Sequence, residues 1–247
     1  MTQTPRFTTN ALIIKEMTVG EGDRLVTLLT EDYGIIRAFA AGAKNIKNKK
    51  HMATSLLSYS SVSVFKKGDT YKIYEGTPNH IFFKAGSDPD RFILSQYFCE
   101  LSLVLAPRES PGGEFLRLIL NSLHFLLEKK KPMPLIKAIT ELRAAALSGY
   151  LPDLVACGEC GKFEDDLMFF QPEDGAIYCQ TCKPNGETIP ISPGVLSAMR
   201  HIIYSQFGGL YSFEVSDESA EQLSKLTGRY LSHQIDHHFV TLDFFGV

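Results

Sequence analysis

Leu57-Ser-Tyr-Ser-Ser-Val-Ser-Val-Phe65 is a run in which two kinds of side chain alternate. From Tyr59 onward, every second residue is Tyr, Ser, Ser and Phe, and the residues between them are Ser, Val and Val. Successive side chains of a β-strand point to opposite faces, so this pattern predicts a half-buried antiparallel strand. Further strands are predicted on both sides of this run.

Four further short strands are predicted around this run, separated by turns and loops. They are Ala11-Leu-Ile-Ile14, Arg24-Leu-Val-Thr-Leu-Leu-Thr30, Ile35-Ile-Arg-Ala-Phe-Ala-Ala41 and Tyr71-Lys-Ile-Tyr-Glu75. Five short strands fit a small barrel, and five is the strand count of the OB-fold. The aromatic residues of this region are capable of stacking on bases, but alternation favours a core position for each: Phe39, Tyr59, Phe65, Tyr71 and Tyr74.

After Gly86 the hydrophobic period becomes that of a helix. Ser87-Asp-Pro-Asp90 is typical of a helix start, with a capping acid followed by proline. The helix that starts there is predicted to run to about Leu105, and two more are predicted over residues 114–130 and 135–149. Ile191-Ser-Pro-Gly194 opens a fourth helix that runs through Gln206, and Ser216-Asp-Glu218 caps a fifth over about residues 219–233. The predicted fold class is therefore α+β, with a five-stranded OB-fold barrel over residues 1–82 and an α-helical domain over residues 83–247.

Four of the five cysteines form two pairs, Cys157-Gly-Glu-Cys160 and Cys179-Gln-Thr-Cys182. Two C-x2-C turns aim four thiolates at one ion, which is the ligand set of a structural Zn²⁺ site with no open position. The residues between the pairs are predicted to form strand, turn and strand, so a four-cysteine zinc ribbon inserted at about residues 155–185 is expected. The alternatives are two unrelated pairs or a redox dithiol. The fifth, Cys99, is interpreted as a core thiol.

Charge is distributed unevenly along the 247 residues, whose net charge is −3. Residues 1–80 hold eleven Lys and Arg against seven Asp and Glu, whereas the remainder holds fourteen against twenty-one.

No membrane span and no signal peptide are recognised, so a cytoplasmic protein is expected. P-loop, dinucleotide, zincin and hydrolase motifs are missing, and no catalytic constellation is found. His233, His237 and His238 are interpreted as a solvated helix end.

The segment Ala43-Lys-Asn-Ile-Lys-Asn-Lys-Lys-His51, the basic loop, concentrates Lys44, Lys47, Lys49 and Lys50 with no acid among them. Lysines without acidic neighbours suit contacts to DNA phosphates, because each neutralised phosphate releases condensed counterions. Arg24 and Arg37 lie in adjacent predicted strands and extend this candidate DNA-binding set. An ordinary solvated loop is the alternative.

Together these features resemble the RecO family of bacterial recombination mediators. The resemblance lies in Ala11-Leu-Ile-Ile14, Gly20 to Thr30, Tyr33-Gly34, Ala40 to Lys44, Cys99-Glu-Leu101, Gly149-Tyr-Leu-Pro152 and the four cysteines. It implies an N-terminal OB-fold, a helical domain with a zinc ribbon, and DNA contacts from the basic residues of the barrel. The basic loop departs from the family's common run, since this chain has Lys44-Asn-Ile-Lys47.

The resemblance also implies a function without catalysis. Such a protein binds single- and double-stranded DNA, anneals complementary strands and, with RecR, helps load RecA onto DNA coated by single-stranded-DNA-binding protein. The acidic, apolar-ended tail of that coating protein is expected to dock on the helical domain. Lys129-Lys-Lys131, Arg143 and Arg200 are the candidate contacts for the tail. The rival interpretations are a zinc-ribbon adaptor that binds only proteins, and a zinc- or Mg²⁺-dependent nuclease.

Overall fold

The computed structural model describes residues 6–68, 70–82 and 88–244. Its contacts divide the chain into two compact units, the first from residues 1–127 and 239–247 and the second from Glu128–His238. The first unit holds the barrel, two long helices and a C-terminal 3₁₀ turn, and the second holds the ribbon and three helices. The boundary at residue 82 stays a prediction, and it falls next to residues 83–87, outside the described part.

Five strands close into a barrel in the order β1-β2-β3-β5-β4, which confirms the predicted OB-fold. They are β1 (Arg6–Val19), β2 (Asp23–Thr30), β3 (Gly34–Ala40), β4 (Ser58–Lys67) and β5 (Thr70–Ile81). The β3–β5 pair is parallel and the other four pairs are antiparallel. The short helix α1 (Lys50–Ala53) lies between β3 and β4.

The alternation in β4 has the predicted consequence. Val62 and Val64 are buried in the barrel core, whereas Ser61, Ser63 and Phe65 are half-buried on the other face. The core is completed by small and branched residues from all five strands. Because its side chains fill the interior, the barrel has only its outer surface to offer a ligand.

Helix α2 (Pro89–Leu105) begins where predicted: the side chain of Asp88 accepts a hydrogen bond from the Asp90 N–H at 3.1 Å. Ser87 lies outside the described residues. Helix α3 (Gly113–Leu127) follows, and both helices pack on β1 in the first unit. The 3₁₀ turn (Val240–Phe244) closes this unit, with the Glu100 carboxylate accepting N–H bonds from Val240 and Thr241, both at 3.0 Å.

In the second unit, helix α4 (Met133–Leu147) is buried along most of its length. The other helices of this unit are α5 (Pro193–Tyr204) and α6 (Asp217–Gln234), each capped by a serine, Ser192 or Ser216. The ribbon consists of β6 (Met168–Gln171), β7 (Ala176–Cys179) and β8 (Ile189–Ile191) in the order β7-β6-β8. The predicted strand, turn and strand between the cysteine pairs are thus confirmed, and β8 adds a third strand that the sequence did not indicate.

Candidate metal centre and nucleic-acid interface

The four paired cysteines converge on one point of the second unit. The Sγ atoms of Cys157, Cys160, Cys179 and Cys182 all lie within 4.8 Å of one another, and those of Cys160 and Cys179 are 3.8 Å apart. Four soft sulfur donors at such separations can surround a single metal ion tetrahedrally. The predicted clustering of the cysteines is confirmed.

Backbone hydrogen bonds hold these thiols close together. Cys179 is the last residue of β7, and its N–H donates to the Cys157 sulfur at 3.4 Å. The first knuckle closes through the Gly161 N–H, which donates to the Cys157 carbonyl at 2.9 Å. Gly161 has a φ of +72°, a left-handed conformation that favours glycine. The hairpin and this turn therefore bring both cysteine pairs together.

The environment of Cys157 stabilises an anionic sulfur. Burial alone would raise the pKa of this thiol, but N–H groups from Cys160, Cys179 and Glu159 outweigh burial and lower the pKa to about 6. At Cys182, hydrogen bonding to the neighbouring thiols, above all that of Cys179, raises the pKa to about 12. Thiolates are the metal-binding form of cysteine. The N–H groups around Cys157 stabilise its thiolate, so this site suits a metal cation.

Arg200 ties the first knuckle to helix α5 in the second unit. Its guanidinium donates to the carbonyls of Leu154, Val155 and Phe163 at 2.7–2.9 Å and pairs with Glu164 at 3.1 Å. The side chain is only 15% exposed. The structure therefore gives Arg200 a positioning role at the ribbon, and its predicted contact with a protein tail stays a prediction.

Arg143, the other predicted tail contact, is also engaged within the second unit. It bonds the carbonyls of Ile202 and Ile203 at the C-terminal end of α5, and its guanidinium lies 5.1 Å from the Phe207 ring centroid. Lys131 similarly donates to the Phe213 carbonyl at 2.8 Å. Both cations donate hydrogen bonds to backbone carbonyls, so neither offers its full set of N–H donors to a ligand.

The basic loop lies in the first unit and presents three lysines to solvent. Lys44, Lys47 and Lys49 are exposed, whereas Lys50 begins α1 and is half-buried. Ile46 between them is 83% exposed. Of the predicted DNA-binding residues, these three lysines are therefore brought together on one solvent-facing segment.

The backbone of this loop is held in place although its lysines are exposed. The Lys44 N–H donates to the Gly22 carbonyl at 3.0 Å, which fastens the loop to the β1–β2 turn. The Asn48 side-chain amide donates to the Gly42 carbonyl at 3.0 Å, and a ring nitrogen of His51 lies 2.9 Å from the Ala43 carbonyl. Fixing the backbone reduces the entropy that the loop would lose on binding a ligand.

The structure places Arg24 differently from the exposed lysines. Its Nη1 donates to the His51 carbonyl at 2.8 Å and to the Ser55 hydroxyl at 3.1 Å, and lies 3.8 Å from the Glu16 carboxylate. The side chain is 11% exposed. Arg24 thus holds α1 and the end of the basic loop against β2, and direct contact of its charge with DNA stays a prediction.

Arg37 is exposed on β3, and two basic residues that the sequence analysis did not select lie beside it. Lys15 from β1 and Arg108 from the segment after α2 line the same cleft as Arg37. Lys15 follows Ile13 in strict alternation and would be assigned to the core. Arg108 gave no sequence signal, because its position depends on contacts between distant segments.

The remaining candidates divide between core and surface. Cys99 is buried, and burial raises the pKa of its thiol to about 12, which confirms a core thiol. Tyr71 packs against the barrel core, but Tyr74 is 52% exposed with the Arg6 guanidinium 4.1 Å from its ring centroid, so its core assignment was wrong. His233 lies 3.3 Å from Glu187, which also pairs with Arg229.

Comparisons with known proteins cover nearly the whole chain. Residues 1–82 match the family model Recombination protein O N terminal, and residues 86–243 match Recombination protein O C terminal. The DNA repair protein RecO of Acetivibrio thermocellus is 30% identical over 237 residues, covering 96% of this chain and 94% of the relative. Those of Dehalococcoides mccartyi strain CBDB1 (28% identity, 90% and 88% covered) and Thermodesulfovibrio yellowstonii (27%, 91% and 92%) are also similar.

None of the helices among the described residues is both long enough and apolar enough to span a bilayer. The same residues contain one cluster of potential metal ligands, the four cysteines.

Proposed function

The chain belongs to the RecO family of DNA repair proteins, and we propose that it acts as a recombination mediator without catalytic chemistry. It binds single- and double-stranded DNA, anneals complementary strands and, with RecR, helps load RecA onto DNA coated by single-stranded-DNA-binding protein. As a DNA repair protein it is expected in the cytoplasm, associated with the nucleoid.

The observation that carries this proposal is the basic loop on the closed barrel. Lys44, Lys47 and Lys49 are exposed on a backbone anchored to the β1–β2 turn. Flexible ammonium groups on a fixed platform bind phosphates without reading base sequence, as a mediator that acts on any damaged DNA requires. Arg37 adds a charge on β3, and Lys50 and Arg24 join the loop to α1 and β2.

Annealing follows from the same electrostatics. Two complementary strands repel each other through their phosphates, and a cationic surface that binds both lowers this repulsion. It also raises their local concentration, so that pairing is faster although no covalent bond is made or broken. Each released counterion makes the effect sensitive to salt.

We propose that the four cysteines hold one Zn²⁺ per chain. Cysteine sulfur is a ligand that Zn²⁺ prefers, and four cysteines fill its tetrahedral shell. Bound there, the ion would supply a crosslink between the two knuckles and no site for substrate. Cys157, Cys160, Cys179 and Cys182 would each contribute one thiolate. The role of this ion is therefore structural.

The proposed protein partners are RecR and the acidic tail of the single-stranded-DNA-binding protein. For the tail, Arg143 and Arg200 stay the proposed contacts. A guanidinium has five N–H donors, so a carboxylate would have to use those not already bonded to the carbonyls of the second unit.

A second candidate function is a zinc-ribbon adaptor that binds only proteins. Exposed apolar side chains near the first knuckle support it, namely Leu151 (58%), Val155 (55%) and Phe163 (56%). A nuclease has less support, because the described residues offer the cysteines and no acidic set to hold Mg²⁺.

The test is annealing of two complementary single strands by the zinc-loaded protein, without nucleotide, over a salt series. Acceleration at low salt that fades as salt rises is the expected result. A folded protein that neither binds nor anneals DNA at low salt would contradict the proposal and favour the adaptor. Appearance of shortened strands with added Mg²⁺ or Zn²⁺ would instead indicate a nuclease.

A further inference from the structure

A cleft of about 260 Å³ opens on the outer face of β1, β2 and β3, beside the end of α2. Lys15, Arg37 and Arg108 bring three positive charges to it. We propose that this cleft seats one nucleotide of single-stranded DNA, with its phosphate on the three cations. This inference rests on the proposed function, and it assigns to Lys15 and Arg108 a role in binding single strands.

Lys15 faces this cleft because β1 contains a bulge. Ala11 and Ile13 point into the barrel core, and continued alternation would send Lys15 and Met17 inward as well. The pairing register of β1 with β2 shifts between Ile13 and Lys15, and the extra residue reverses the alternation. From that point onward the odd-numbered residues lie on the outer face, where Lys15 and Met17 line the cleft.

The strand pairing then aligns a row of polar side chains across three strands. Lys15 is the register partner of Thr27, and Thr27 is the register partner of Arg37. Directly opposed residues of neighbouring strands have Cβ atoms about 4.5–5.5 Å apart. Lys15 and Arg37 therefore flank the buried Thr27 on its two sides, with Cβ atoms roughly 9–11 Å apart by this spacing, and both side chains are long enough to reach one phosphate between them.

Arg108 is brought to this row by close docking of the α2–α3 segment on β3. The Ile35 N–H donates to the Pro107 carbonyl at 2.8 Å. A Cβ at Gly34 would lie 2.1 Å from the same carbonyl oxygen, so glycine is required there. The Arg108 guanidinium is oriented by a 2.9 Å bond to the Leu103 carbonyl at the end of α2, and its other N–H groups are available for a ligand.

The rest of the lining is apolar, from Met17, Leu25, Ile35 and Leu103. Among the described residues that line the cleft, none is acidic. Cations beside an apolar floor suit a ligand with an anionic group attached to a flat or apolar body. A nucleotide has this form, with a phosphate next to a base whose face packs on apolar side chains.

Size and position favour a single strand over a duplex. Ligand pockets usually measure roughly 300–1,000 Å³, so a cleft just below this range receives one group from an unstacked strand rather than a base pair. Arg37 lies on β3, and the basic loop begins just after this strand ends. A strand seated in the cleft can thus continue along the lysines, whereas a peptide ending in one carboxylate would use only the cleft.

The test compares three proteins with their zinc bound: wild type, Lys15→Gln/Arg108→Gln, and the control Arg117→Gln/Lys225→Gln. The control removes the same two charges from exposed positions of α3 and α6. Affinities for a thymidine oligonucleotide and for a duplex are measured by fluorescence anisotropy over a salt series. A third variant, Lys15→Gln alone, changes an exposed side chain and guards against misfolding caused by the loss of Arg108.

We expect the double variant to bind the thymidine oligonucleotide roughly tenfold more weakly, a change of about 1.4 kcal/mol. The slope of log affinity against log salt should become shallower by up to about 0.7, since the three cations contact one phosphate and each neutralised phosphate of a single strand contributes about 0.7 to the slope. Lys15→Gln should show about half of this change in slope. Duplex affinity should stay within about twofold of wild type, and the control should match wild type for both ligands.

Equal affinity and equal slope for wild type and both cleft variants would overturn the cleft assignment and leave the proposed function standing. Failure of wild type itself to bind DNA would overturn both. If the variants bind DNA normally but lose a synthetic peptide with an acidic, aromatic C-terminus, the cleft is a peptide site and the nucleotide assignment is wrong.

Discussion

The Nζ atom of Lys137 lies 2.8 Å from a carboxylate oxygen of Glu141, one turn further along α4. Their side chains are 8% and 0% exposed, so the pair is buried in the second unit. The other Glu141 oxygen accepts a 2.6 Å bond from the Thr227 hydroxyl, and Lys137 also donates to the Ser224 carbonyl. The pair therefore links α4 to α6 through a polar network inside an otherwise apolar contact.

Lys137→Met is predicted to lower the free energy of unfolding by about 3–5 kcal/mol, because it leaves the Glu141 carboxylate buried without its cation. The measurement is urea unfolding followed by circular dichroism. Arg229→Gln is the matched control, since its ion pair with Glu187 is 54% and 40% exposed, and solvent-exposed ion pairs contribute little to stability. Similar losses for the two variants would show that the buried pair does not stabilise the unit.

Gly34→Ala is predicted to destabilise the first unit by more than Gly20→Ala. Both glycines have a φ of +60°, so each alanine incurs the same backbone strain of about 1–2 kcal/mol. A Cβ at Gly20 meets nothing within 4 Å, whereas at Gly34 it meets the Pro107 carbonyl oxygen. The difference between the two melting temperatures therefore measures the docking of the α2–α3 segment, and equal melting temperatures would argue against it.

Removal of the metal is predicted to unfold the ribbon and spare the barrel. All four cysteines belong to the second unit, and a structural zinc site contributes its binding energy to folding. Metal analysis should give one zinc per chain for wild type and for Cys99→Ala, and much less for Cys179→Ser. Hydrogen exchange should become faster in β6 and β7 of Cys179→Ser, with the barrel strands unchanged. A zinc-free protein with a protected ribbon would contradict the metal assignment.

The features that the sequence predicted well are those with local signals. Alternation in β4 and the capping aspartate before α2 depend on neighbouring residues, and the structure confirms them. The cysteine pairs also carry their own geometry, because a two-residue spacing restricts where both sulfurs can point. Each of these follows from a few consecutive residues.

The features that were missed depend on distant contacts. The bulge after Ile13 turns Lys15 to the surface. This bulge is seen in the pairing register of β1 with β2, which the sequence of β1 alone does not indicate. Arg24 was taken as a surface cation, but it lies on the same side of β2 as the core residues Val26 and Leu28 and reaches the His51 carbonyl. The contact of Glu100 with Val240 joins residues 140 positions apart, beyond any periodic signal.

Arg24→Gln is predicted to act on stability more than on DNA binding. It removes charged donors from the His51 carbonyl and the Ser55 hydroxyl, and should lower the free energy of unfolding by about 1–3 kcal/mol. Because the side chain is 11% exposed, the salt dependence of DNA affinity should change little in the folded protein. A stable variant with a shallower salt slope would instead identify Arg24 as a phosphate contact.

Lys44→Gln/Lys47→Gln/Lys49→Gln is predicted to show the opposite behaviour. The three side chains are exposed, so their replacement should leave the melting temperature close to that of wild type, as expected for surface changes. If each contacts one phosphate, the salt slope for a single strand should become shallower by about 2, and annealing at low salt should slow in parallel. Because the loop backbone is held by Gly22, Gly42 and Ala43, the loss of charge would not disturb the loop itself. An unchanged slope in a folded variant would place the DNA contacts elsewhere on the barrel.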